Sequence, residues 1–137
     1  MNPRLKLSLA LALLTVPAAS GCVAAAAAGA SYIVYTQVLP NDVHVAQVAI
    51  DVDKVWPSVK ETMSFFQSPG TELQIQETPR SVQAKVDGAK VLVEVEAHDI
   101  DRTTIRVSAE KYMAKDNATA AEVLSSILDH LEKVNAG

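Results

Sequence analysis

The chain has 137 residues, with 12 Lys and Arg against 16 Asp and Glu, one Cys, 49% hydrophobic residues and 4% aromatics. That suits one small domain plus a further segment. The acidic balance argues against a nucleic-acid binder, which needs a basic face to displace counterions, while a single Cys makes no internal disulfide and no Cys/His spacing fits a structural zinc. The apolar residues are unevenly spread: they fill 26 of the first 41 positions, and no charge falls between Lys6 and Asp42.

Residues 1–21 read as an export signal, with a basic start at Arg4 and Lys6, an apolar stretch from Leu7 to Ala19, and small residues before Cys22. The apolar stretch is shorter than the roughly 20 residues that cross a bilayer. Ala19-Ser20-Gly21-Cys22 is similar to the bacterial lipobox, in which cleavage between Gly21 and Cys22 follows addition of diacylglycerol to the Cys. Acylation also accounts for a lone thiol in an exported protein, where a free Cys would be open to oxidation or intermolecular pairing. Two or more chains make a stable anchor where one is marginal. The competing reading keeps the uncharged run as an uncleaved helix, but Pro17, Ser20 and Gly21 interrupt it. Val23 is not the Asp that commonly retains such proteins at the inner membrane, so in a bacterium with two membranes the expected location is the periplasmic face of the outer membrane. Loss of residues 1–21 leaves 10 basic and 16 acidic groups, a net charge of −6.

Residues 22–41 are expected to hold the lipidated Cys22, an Ala-rich tether and a β-prone segment, with the folded domain at 42–137. The tether has no side chains able to build a core and reads as either an Ala-rich helix or a flexible leash. Tyr32 to Leu39 is β-prone, either a leading edge strand or a membrane-proximal piece. A strand follows from Val43 to Ile50. Asp51 then caps a helix whose stripe is Val52, Val55, Trp56, Val59, Met63 and Phe66, and Pro57 predicts an irregular first turn or a late start. Ser68-Pro69-Gly70 ends it.

From Thr71 to Glu110 the pattern is a four-strand meander. Leu73 and Ile75 share one face with Val82, Ala84 and Val86, with Val91, Val93, Val95 and Ala97, and with Ile105, Val107 and Ala109. A turn at Asp87-Gly88 places Val86 beside Ala89, Ala84 beside Val91 and Val82 beside Val93, so turn and alternation agree on one register. The closing helix, about Asn117 to Val134, carries the stripe Ala120, Val123, Leu124, Ile127, Leu131 and Val134, with Asp116 or Asn117 as its cap. The fold class is α+β, a two-layer arrangement of strand, helix, four strands and helix, with both helices on one face of an antiparallel sheet.

The Gly21-Cys22 ending, the Ala/Gly-rich tether, the Tyr32 and Tyr35 segment, and Asp53-Lys54-Val55-Trp56 opening a helix before the meander resemble a family of small, uncharacterised bacterial lipoproteins (domain of unknown function 3568). The resemblance implies the anchor and the fold, and it brings no catalytic residues.

Little else in the chain carries chemistry. Glu94, Glu96 and His98 leave one strand face about 6.5–7 Å apart, too wide to share one metal easily, and read as a solvated face with Arg106 opposite Glu94 or Glu96. His44 and His130 lack a partner in sequence. Ser125-Ser126 lie on a helix, without a nucleophile elbow or a phosphate loop anywhere. Trp56 and Phe66 have core spacing and Phe65 lies off the stripe, which makes Trp56 and Phe65 the candidate contacts for a ligand or partner. The expectation is a non-enzymatic, lipid-anchored envelope module with no cofactor or metal. The alternative is a binder of a small apolar ligand in a groove between helix and sheet.

Overall fold

The structure, a computed structural model, describes residues 32–136. Strands β1 (Ile33–Val38) and β2 (His44–Val48) precede helix α1 (Val52–Phe66). Strands β3 (Gln74–Glu77), β4 (Arg80–Val86), β5 (Ala89–Asp99), β6 (Arg102–Lys111) and β7 (Ala114–Lys115) follow, and helix α2 (Asn117–Ala136) closes the fold. The sheet is antiparallel in the order β1-β2-β6-β5-β4-β3, with β7 paired to the end of β6 that β2 does not reach. Helix α1 lies over β4 and β5, and α2 over β6 and β2. The class is therefore α+β with both helices on one face, and the middle run holds five strands because Ala114–Lys115 pairs back onto β6.

The β4–β5 hairpin has the register set by its turn: Val86 pairs with Ala89, Ala84 with Val91 and Val82 with Val93. Every one of those side chains is buried, as are Val95, Ile105, Val107 and Ala109 on the same face. Two inward positions of the meander are corrected. Ile75 pairs with Val82 but lies on the outermost strand, where no further neighbour covers it, and is exposed. Ala97 is exposed, next to the irregularity that shifts the β5–β6 register between Ala97 and Asp99.

Of the two readings of the β-prone stretch before residue 42, the leading edge strand is the one the fold takes, so Ile33–Val38 belongs to the sheet and the domain starts earlier than 42. Strand β1 pairs with β2 along its length, and Tyr32 is buried in the core. The Tyr32 hydroxyl donates to the Leu128 carbonyl of α2, and the Ala49 N–H donates to the Tyr32 carbonyl at 2.7 Å. Burial, with Glu132 and Asp129 nearby, pushes the Tyr32 phenol up to about 12. Strand β2 is buried at all five positions. His44, Ala46 and Val48 lie in register with Val107, Ile105 and Thr103 of the helix-covered face, while Val45 and Gln47 on the other face lie between Gln37 and Arg106 and between Tyr35 and Thr104. That two-sided enclosure explains why its apolar residues do not alternate.

Helix α1 starts where the Asp51 cap places it: an Asp51 carboxylate oxygen accepts from the Asp53 N–H at 2.8 Å. Pro57 neither delays nor ends the helix. It sits in the second turn on the exposed side, where the carbonyl that loses its donor faces water. At α2 the cap is Asp116, which accepts from the Thr119 N–H at 3.2 Å and the Thr119 hydroxyl at 2.7 Å. These two bonds hold the Asp116 carboxyl below its ordinary range. The inward stripe of α2 ends at Leu131 and includes Leu128, whereas Val134 is exposed beyond the sheet.

Candidate functional site

Cys22 and Gly21 lie outside the described residues. Of the two candidate contact residues, Trp56 is part of the core, 6% exposed. Its indole N–H donates to Glu77 Oε1 at 2.7 Å, and Lys60 Nζ lies 5.0 Å from the ring centroid while reaching Glu77 Oε2 at 3.4 Å. The Trp56 hydrogen bond, helped by Lys60, holds the Glu77 carboxyl below its ordinary range. This cluster fastens the β3–β4 turn to α1, and little of the indole face is left for a ligand.

Phe65 is placed differently. It is 77% exposed and lines an open groove of about 360 Å³ between α1 and α2, with Thr62, Phe66, Ser126, Asp129, His130 and Lys133. The groove lies between the two helices, whereas the interface of helices and sheet is filled by Val55, Val59, Met63, Val123 and Ile127, none with exposed surface. His130, without a partner in sequence, bonds Glu61 Oε1 of α1 at 2.9 Å. Residues 69 positions apart give no sequence signal of such a bond. Ser126, Asp129 and His130 share this groove, but among the described residues Ser126 makes no hydrogen bond to His130.

His44 is buried, with Nε2 3.1 Å from Asn117 Oδ1, and Asn117 Nδ2 donates to Asp42 Oδ1 at 3.3 Å. The chain of bonds ties the β1–β2 turn to the start of α2. On the outer face Glu94, Glu96 and His98 are exposed. Arg106, in register with Glu94, pairs diagonally with Glu96 at 2.9 Å. Among the described residues no three His, Cys, Asp or Glu side chains converge as metal ligands would.

No family model matches the chain, and no curated protein matches it. Among solved structures the chain is similar to the X-ray structure of norcoclaurine synthase from Thalictrum flavum, at 16% identity and a TM-score of 0.40, over 94% of this chain and 99% of that one. A likeness that loose assigns no activity.

Proposed function

We propose that the chain is a lipid-anchored bacterial envelope protein, held at the periplasmic face of the outer membrane where the cell has two membranes, whose α+β domain is a non-enzymatic structural or partner-binding module. The observation that supports this reading is Ala19-Ser20-Gly21-Cys22 closing an apolar stretch within a run that carries no charge from Leu7 to Asn41, with Cys22 the sole thiol. The sheet begins at Ile33, so a short tether would join anchor and domain. Among the described residues no helix is long and apolar enough to cross a membrane. Labelling cells with a clickable fatty acid tests it. Wild-type chain takes up the label and shifts to the processed size, and Cys22→Ser abolishes labelling and frees the domain from the membrane fraction. An unlabelled, full-length wild-type chain in the membrane would overturn the anchor in favour of an uncleaved helix.

One observation favours the second reading, a binder of a small apolar ligand. Phe65 and Phe66 offer aromatic surface to the groove between α1 and α2, and Phe65 contributes little to the core.

A further inference from the structure

Two neighbouring turns at one end of the sheet carry side chains that the fold does not use. Lys85 and Lys90 are register partners across the β4–β5 hairpin, and the row continues through Glu110 of β6 to Lys115 of β7 on the outer face. Like charges directly opposite one another destabilise a strand pair, yet among the described residues neither Lys85 nor Lys90 makes an ion pair, while Lys115 reaches Glu110 at 3.8 Å. Lys111 adds a fourth ammonium. Its side chain crosses to the Asp87-Gly88 turn, where its Cε would stand 3.3 Å from a Cβ on Gly88, and its Nζ lies 5.7 Å from the Tyr112 ring centroid. Glu72 lies beside Lys85 and Lys90 on the same surface, so that against Glu72, Asp87, Glu110 and Asp116 the four lysines leave this end neutral, whereas the 6 basic and 12 acidic groups elsewhere in residues 32–136 make −6.

The turn between β6 and β7 is Tyr112-Met113, with φ of 54° and 66°. Two-residue turns with positive φ at both positions are ordinarily built from Asn-Gly or Asp-Gly, as Asp87-Gly88 next to it is. Here a strained backbone instead holds out two large side chains, 89% and 96% exposed.

We propose that this end of the sheet docks on an anionic lipid surface, Tyr112 and Met113 entering the headgroup boundary while the surrounding lysines meet lipid phosphates. Charge selects the partner: four ammoniums on a neutral end of an otherwise acidic domain are the groups a negative leaflet attracts while the rest of the surface is repelled, and Tyr belongs at the membrane–water boundary. Area argues against a protein partner, because two projecting side chains fall well short of the about 800 Å² each partner buries in a stable interface. A bilayer accepts them without shape complementarity. The inference needs a bilayer at hand, which the envelope reading supplies, but not the lipid on Cys22. Ile33 pairs with Val48 and Val48 with Thr103, so the chain enters the sheet at the end opposite this tip.

The test uses the full chain with Cys22→Ser, made by cell-free synthesis so that no lipid or peptidase intervenes, and with Met113→Cys as its one thiol, labelled with a polarity-sensitive fluorophore. In phosphatidylcholine vesicles containing phosphatidylglycerol the emission shifts to the blue and is shielded from an aqueous quencher. In phosphatidylcholine alone it does neither, and Lys90→Gln, Lys111→Gln and Lys115→Gln each lower the ratio of shielded to water-exposed probe at 113 about fivefold. A probe placed by Ile100→Cys at the opposite end stays in water. The proposal is overturned by a probe at 113 that remains water-exposed in both vesicles, by equal shifts in both, or by a shift without vesicles, which would indicate self-association. Because fatty-acid labelling of Cys22 plays no part, failure here and failure of the anchor are separate results.

Discussion

Val93 has no exposed surface and lies in register between Val82 of β4 and Val107 of β6, on the face that both helices cover. Val93→Ala removes two methyl groups, worth about 1.6 kcal/mol of transfer free energy, and leaves a cavity that raises the loss to about 2–3 kcal/mol. For a domain of this size that lowers the thermal midpoint by roughly 10–20 °C. Val93→Asp goes further, since an unpaired carboxylate in this core costs several kcal/mol, a large share of the roughly 5–15 kcal/mol that hold a domain together. Burial raises the folded-state pKa of that carboxyl above its unfolded value of about 3.9. The variant therefore keeps most of its stability below that pH and loses it as pH rises. Circular dichroism melts of wild type, both variants and Glu94→Val, at acid and neutral pH, provide the measurement. Glu94 is exposed on the other face, so Glu94→Val should change stability by no more than about 0.5 kcal/mol. A harmless Val93→Asp beside a disruptive Glu94→Val would show that the assigned sheet face is inverted.

Tyr32→Phe deletes the hydroxyl bonded to the Leu128 carbonyl and should cost about 1 kcal/mol, read from denaturant melts. The Tyr32 phenol titrates at about 12 in the folded chain against 10.0 ordinarily; its folded value is the higher, so its stabilisation is complete below pH 10 and lost as pH rises through 12. The variant should accordingly flatten the alkaline limb of stability against pH, and an unchanged limb would remove Tyr32 as its source. Phe65→Ser should leave the melting curve within about 0.5 kcal/mol of wild type while reducing uptake of an apolar dye by the groove between α1 and α2. Equal dye uptake by the two proteins would remove the ligand-binding reading.

Much of the sheet was legible because two independent signs agreed at Asp87-Gly88: the turn fixed which residues faced each other, and alternation fixed which face was buried. Ile75 and Val134 followed the correct period yet are exposed. Period reports direction, while burial also requires a neighbour, and the outermost strand and the last helical turn have none on one side. The bond from His130 to Glu61 joins residues brought together only by packing α1 on α2, and no local pattern encodes it. Tyr112-Met113 was missed for the opposite reason. Nothing in Lys111-Tyr112-Met113-Ala114 looks like a turn, so the strained hairpin and its exposed tip emerge only once Ala114–Lys115 is seen to pair back onto β6.

The placement of Tyr32 governs how the domain takes mechanical load. Any pull on the chain ahead of the sheet enters the fold through this residue before it reaches β1, and there it meets a buried ring, a hydroxyl held by α2 and a carbonyl held by Ala49. Force is thereby shared with the closing helix and with the chain leaving β2, and the edge strand is shielded from being peeled away one hydrogen bond at a time.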